Sequence, residues 1–261
     1  TANETVIPCG ADGSFAGRAR ACLPVECGVP PTEPNADLPG DAASSTVTYG
    51  RRVEYECHVG HTITGITGGA RRFERSCQVD GQFSPTEQCQ PVSCGPAPHV
   101  DHSTSNQSDR ADLTYSQSVT YRCKDGFSVT AAVGGATEFN VTCESSGSLT
   151  QPLSCRRIEC GTCPSRSMDM PHAVPFEIDI RVYEDNCTYM CEAGYSLDAD
   201  ADGPNTFSTS CRADGTFSSG RICMPVSCGA PPPLSHATIE GSGWNSPGNF
   251  HPDALRYVCS D

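Results

Sequence analysis

Apolar residues in this chain do not gather at helical spacing. They stand singly or in pairs beside cysteines, in Y-E-C-H-V-G-H at 55–61, Y-R-C-K-D-G-F at 121–127, Y-M-C-E-A-G-Y at 189–195 and Y-V-C at 257–259. Farther along come D-G-S-F-A, D-G-Q-F-S, S-G-S-L-T and D-G-T-F-S, at 12–16, 80–84, 146–150 and 214–218. Aromatic, Val and Thr residues next to cysteine, punctuated by Asp-Gly and Ser-Gly, predict short strands joined by tight turns. No 3.6-residue apolar period is sustained, so helix is the minor element and the expected class is all-β.

These stretches recur roughly every 67 residues, a period that suggests an array of small domains. Numbering the cysteines of each unit I to IV gives I-to-II spacings of 30, 29, 31 and 31. Each complete II-to-III spacing is 20, III to IV is 12 or 13, and every IV-to-I step is 5. The four-residue linkers L-P-V-E, Q-P-V-S, R-R-I-E and M-P-V-S lie between IV and I. Pro24, Pro91 and Pro225 stiffen them toward extended geometry, and Val25, Val92, Ile158 and Val226 are placed to pack at the joints. The proline-free joint at 156–159 is expected to bend differently from the others.

Cysteines in this order, a Tyr two residues before cysteine II, Gly after cysteine I and a Pro-rich junction resemble tandem sushi modules, also called complement control protein modules or short consensus repeats. The resemblance covers essentially the whole chain. It divides it into a C-terminal half-module at 1–22, modules at 27–89, 94–155 and 160–223, and an N-terminal half-module at 228–261. The implied architecture is a tandem array of small disulfide-stapled antiparallel β modules forming an elongated rod. Spacing alone leaves three pairings open per unit. The resemblance implies I–III and II–IV bonds, hence Cys27–Cys77, Cys57–Cys89, Cys94–Cys143, Cys123–Cys155, Cys160–Cys211 and Cys191–Cys223. The family's usual Trp between III and IV is replaced by Phe15, Phe83, Leu149 and Phe217, which places the chain on a divergent branch.

The physical logic stands beside the name. A unit of about 62 residues buries too little apolar surface to be comfortably stable on its core alone. A disulfide closing a loop of this size contributes about 3–4 kcal/mol in the loop-closure model.

Composition sets the compartment. Eighteen cysteines in 261 residues, with only one C-x-x-C pair (Cys160 and Cys163), point to an oxidising, extracellular setting rather than to metal binding. Sequons at Asn3, Asn106, Asn140 and Asn186 fit a secreted or cell-surface glycoprotein. A net charge of −14, with Lys124 the single lysine, disfavours nucleic acid and anionic membrane surfaces as partners. No apolar run approaches a transmembrane span, so no membrane insertion is expected in this region. A secretion signal is expected upstream, making the chain a window on a longer polypeptide.

Candidate chemistry is sparse. Cys163 and Cys187 fall outside the ruler. C-G-T-C resembles a redox or zinc motif, but the framework already uses Cys160 and no βαβ pattern surrounds it, so an additional structural disulfide is expected. D-A-D-A-D-G at 198–203 offers Asp198, Asp200 and Asp202 as a weak calcium site, against the reading of a solvated acidic loop tip. His58 with His61 and His99 with His102 lack a third ligand. Arg51, Arg52, Arg71, Arg72 and Arg75 give the first complete module local positive charge, a docking patch for an acidic neighbour or glycan or simply a solvated strand face. Trp244 is expected to be exposed. No nucleophile elbow, zinc-protease motif or phosphate loop is present, and no cofactor or catalysis is expected.

Three functions compete on these grounds. The first is an extracellular structural or adhesive array building a filament, coat or surface appendage through head-to-tail stacking, with other copies of itself or neighbouring sushi modules as partners. The second is a complement-regulator-like or receptor ectodomain binding extracellular proteins or glycans, and the third a non-catalytic spacer of a secreted enzyme. The uniform ruler favours the first; a regulator more often shows one module with a distinctive binding face. The half-modules are complementary, so Cys228 and Cys259 of one copy are expected to pair with Cys9 and Cys22 of the next.

Overall fold

A computed structural model of the chain describes residues 6–17, 22–107, 111–165, 169–240 and 249–259. Asn3 and Trp244 lie outside the described residues. The chain divides into two compact units. One holds Thr1–Ala97, Arg110–Ser118 and Val141–Thr150; the other holds Pro98–Asp109, Val119–Asn140 and Gln151–Asp261.

One small antiparallel sheet recurs along the chain. In the first unit it comprises β1 (Ala36–Asp37), β2 (Arg52–Cys57) and β3 (Arg72–Ser76), with β2 central. The next copy comprises β4 (Ser103–Ser105), β5 (Ser118–Cys123) and β6 (Glu138–Thr142) in the same order. A third comprises β7 (Ala173–Pro175), β8 (Asn186–Cys191) and β9 (Thr206–Ser210). Only β10 (Ala237–Glu240) and β11 (Arg256–Cys259) follow as a pair. No α-helix occurs among the described residues, and none is long and apolar enough to cross a membrane.

The central strand explains the sheet. In R-V-E-Y-E-C, S-V-T-Y-R-C and N-C-T-Y-M-C, every second side chain turns inward, the period of a half-buried strand. Tyr55, Tyr121 and Tyr189 are buried there and stack on Phe73, Phe139 and Phe207, with ring centroids 5.1, 5.3 and 5.1 Å apart. Such a pair contributes about 1 kcal/mol beyond its area. Each of these Phe stands four positions before cysteine III, a periodic signal that the cysteine ruler alone overlooks.

Covalent closure frames each core. Cys27 is bonded to Cys77, Cys57 to Cys89, Cys94 to Cys143, Cys123 to Cys155, Cys160 to Cys211 and Cys191 to Cys223. Cys163 is bonded to Cys187. Phe83 and Phe217 pack against the cores beside these bonds, as the reading of an apolar plug requires. Phe15 does not: it is 74% exposed.

The seventh disulfide stands where another repeat has two small apolar residues. Its half-cystines occupy the places held in the second copy by buried Ala97 and Val119. It also coincides with a lost hydrogen bond. The hydroxyls of Tyr55, Tyr121 and Tyr257 donate to the carbonyls of Pro31, Pro98 and Pro232 at 2.7, 2.5 and 2.6 Å, clamping the incoming segment to the central strand. The buried Tyr189 hydroxyl finds no such partner among the described residues, and the covalent bridge holds that segment instead.

Candidate functional site

Two features carry information beyond the scaffold: the joints between successive sheets, and the outward face of each sheet.

Each joint is built by one linker residue facing both ways. Within the first unit, the Val92 N–H donates to the Gly60 carbonyl at 2.9 Å, and the Val92 carbonyl accepts from the Tyr115 N–H at 2.8 Å. Within the second unit, Ile158 links Gly126 to Tyr183 at 2.9 and 2.8 Å, and Val226 links Gly194 to His251 at 2.9 and 3.0 Å. The aromatic ring then lies edge-on against its predecessor: Tyr115 on His61, Tyr183 on Phe127, His251 on Tyr195, at 5.7, 5.8 and 5.7 Å. The residue under that ring is glycine at φ +77, +82 and +85°, and a Cβ on any of the three would overlap the ring. Only glycine meets both demands cheaply.

The linkers extend the preceding repeat. Gln90–Pro91 pairs with His61–Thr62, Arg156–Arg157 with Phe127–Ser128, and Met224–Pro225 with Tyr195–Ser196. The proline-free linker makes the same local bonds as the other two. Strand pairing supplies the restraint that proline was invoked for. Arg157 adds an ion pair to Asp185 at 3.0 Å, across the joint.

The outward faces differ although the inward ones repeat. On the first sheet, Arg52 is ion-paired to Glu74, Arg71 to Glu56, and Arg72 to both Glu54 and Glu56, at 3.0–3.9 Å, and Arg75 is paired to the buried Glu33. The positive patch suggested by the arginines is therefore largely neutralised by carboxylates on the same strands. The second sheet turns out Thr104, Thr120 and Arg122, with Arg122 bonded to Glu138, and carries exposed Asn106 and Asn140. Asn106 accepts a bond from the Thr120 N–H through its side-chain oxygen at 3.0 Å. The third sheet turns out Val174, Met190 and Thr188, with Phe176 next to β7. Asn186 is exposed at the start of β8, beside the buried, bonded Cys187.

The acidic loop does not form a metal centre. Asp198 Oδ1 accepts from the Ser196 hydroxyl at 3.2 Å and the Asp200 N–H at 3.1 Å, and Asp200 Oδ1 accepts from the Asp202 N–H at 3.2 Å. These carboxylates close turns on their own backbone, as Asp side chains commonly do. No cluster of three metal-ligating side chains occurs among the described residues. The histidines scatter too. His58 pairs with Asp37 at 3.1 Å, His99 with Asp101 at 3.2 Å, and His102 stacks on Phe127 at 4.2 Å. Cys9, Cys22, Cys228 and Cys259 are unbonded and exposed.

Comparison with known proteins follows the same geometry. The model of the sushi repeat (SCR repeat) family matches residues 27–89 and 94–155. The sushi, von Willebrand factor type A, EGF and pentraxin domain-containing protein 1 of Rattus norvegicus is 29% identical over 258 residues, which are 98% of this chain and 6% of that protein. The C4b-binding protein alpha chain of Homo sapiens is 25% identical over 240 residues, 90% of this chain and 36% of that protein. Beta-2-glycoprotein 1 of Pan troglodytes is 24% identical over 233 residues, 85% of this chain and 61% of that protein. The chain thus spans less than two thirds of each of these relatives.

Proposed function

The chain belongs to the sushi-repeat family, and from that premise we propose that it is an extracellular repeat region that binds proteins through the outward faces of its sheets. The division we assign is modules at 27–89, 94–155 and 160–223, flanked by half-modules at 1–22 and 228–261. One observation carries the reading. Equivalent outward cross-strand pairs are Asp37 with Glu56, Thr104 with Arg122, and Val174 with Met190, while the Tyr–Phe stack beneath them is repeated. The likeness to a protein named for binding C4b supports the same class, and seven disulfides support an oxidising compartment. Asn106, Asn140 and Asn186 are the exposed glycan acceptors of this scheme.

The test is an array of extracellular proteins probed with the folded chain. Reproducible binding that disappears on disulfide reduction is expected. No binding across the array, or binding that survives reduction, contradicts the reading.

A second reading, head-to-tail assembly into a filament, coat or adhesive appendage, is favoured by a different observation. Tyr49 makes the joint bond to Val25 at 2.8 Å, yet its ring is 58% exposed, whereas the equivalent Tyr115 and Tyr183 are partly covered. The preceding repeat it would meet is supplied by a second copy. Cys228 joins Cys9 and Cys259 joins Cys22 of that copy, each thiol pair passing two electrons and two protons to a disulfide donor by exchange. Non-reducing electrophoresis with peptide mapping should then find ladders containing both inter-copy bonds; monomers with four free thiols contradict it.

A further inference from the structure

The third sheet differs from the other two in one respect that polar turn chemistry does not explain. Val174, in β7, is 47% exposed and Phe176 56%; Ile178 and Ile180, 78 and 59% exposed, follow past bends at Phe176 and Asp179, Ile180 in a strand that pairs with Glu159–Thr162 rather than with β8. Met190, directly opposite Val174 across the β7–β8 ladder, is 43% exposed. A single exposed aliphatic residue is ordinary, but three on one outward face, with two more in the segment that leaves it, mark an interaction surface. The same scaffold demonstrates that the stripe is not a requirement of folding. The positions of Val174, Phe176 and Met190 are held by Asp37, Pro39 and Glu56 in the first repeat and by Thr104, Asn106 and Arg122 in the second.

The rim sets the partner's charge. Over residues 169–192 the sequence carries six carboxylates, Asp169, Glu177, Asp179, Glu184, Asp185 and Glu192, against Arg181 within the segment and Arg157, which pairs with Asp185, from outside it, while Glu192 pairs with His172, so the segment keeps an acidic excess. Glu177 and Asp179 alternate with the apolar residues and are exposed, and Arg181 is already ion-paired to Glu177. An acidic rim around an apolar stripe steers basic partners and repels acidic ones. Anionic lipid is excluded on the same ground. The free edge of β7 also carries Pro175, which lacks an N–H and disfavours strand addition, so contact comes through side chains on the face. Beneath the stripe the Cys163–Cys187 bond fixes β8 to the incoming segment, and a face held rigid before binding loses less entropy on binding.

We infer that the outward face formed by Val174, Phe176 and Met190, with the exposed Ile178–Ile180 segment that leaves it, is the docking site for an extended segment of an extracellular protein that presents apolar and basic residues in alternation. This rests on the protein-binding reading above and adds to it the site and the partner's chemistry.

The test uses the full chain, secreted from an oxidising host, and a fluorescein-labelled twelve-residue peptide alternating leucine and lysine. Leucine–glutamate and serine–lysine peptides serve as controls. Binding is read by anisotropy for the parent chain, for Val174→Thr with Met190→Arg (the residues of the second repeat) and for Phe176→Ser. An unchanged disulfide map and circular dichroism spectrum establish that each variant folds. The expected result is saturable binding of the leucine–lysine peptide, weakened at least tenfold in both variants and for both control peptides, and weakened further by salt. Equal binding to parent and variants, or no binding, overturns the site. So does dimerisation of the parent chain that the double variant abolishes, because a second copy is then the occupant. If the array finds a partner that V174T/M190R binds undiminished, the protein-binding reading stands and this inference alone falls.

Discussion

The ring of Tyr183 lies so close against Gly126 that no Cβ fits between them. The same relationship joins Tyr115 to Gly60 and His251 to Gly194, so one small residue per repeat decides how the next repeat begins. Gly126→Ala adds both the overlap and the strain of φ +82° on a residue with a side chain. We expect it to destabilise the joint by about 2 kcal/mol. Hydrogen exchange at the Ile158 N–H, which bonds to the Gly126 carbonyl, is the measurement. Unchanged protection there would contradict the role given to the glycine.

The tyrosine clamp gives a paired prediction. Tyr55→Phe removes a bond to the Pro31 carbonyl and should cost about 1 kcal/mol. Tyr189→Phe removes no such bond and should be neutral or slightly stabilising in denaturant titration. Equal losses at both positions would mean that the hydroxyl matters for another reason.

Burial pushes the Tyr55 and Tyr189 phenols above the ordinary tyrosine value. The folded state therefore holds their protons more tightly than the unfolded chain does. The stability this gives is complete below the unfolded value of about 10 and is lost as pH rises through the higher folded values. Ultraviolet titration should show these two phenols ionising above the ordinary tyrosine value, with unfolding accompanying that step.

Replacing Cys163 by Ala and Cys187 by Val installs the pair that the second repeat carries in their place. The bridge spans 24 residues, and its loss should cost about 3 kcal/mol while the sheet persists. Thermal unfolding with a map of the remaining six disulfides tests both halves of that statement.

Because Asp198 and Asp200 already accept bonds from their own loop, calcium or a chelator should leave the melting temperature unchanged. A rise of several degrees with millimolar calcium would restore the metal reading.

Much of the fold was legible in the sequence, because a strand in a small disulfide module writes its own period: Tyr and Cys at i and i+2 can only share a face. The cysteine pairing was not legible from spacing and rested on family resemblance. The joints were half legible. Val92 and Ile158 were marked as apolar linker residues, but the Gly–aromatic contact joins residues 55 to 57 positions apart and has no local signature. The Asp triplet was ambiguous in sequence, since carboxylate spacing suited to calcium also suits capping of tight turns. The apolar stripe could have been found as V-x-F-x-I-x-I at 174–180, an alternation that on a buried face would have been ordinary. Only the structure reveals that this phase of the alternation faces solvent.

Outward-face recognition is tested most directly by a photo-crosslinking residue placed in turn at 56, 122 and 190, the equivalent outward positions of the three sheets, with the leucine–lysine peptide present. The expected result is an adduct from position 190 and none from 56 or 122. Equal labelling from all three positions, or labelling confined to 56 or 122, would contradict it.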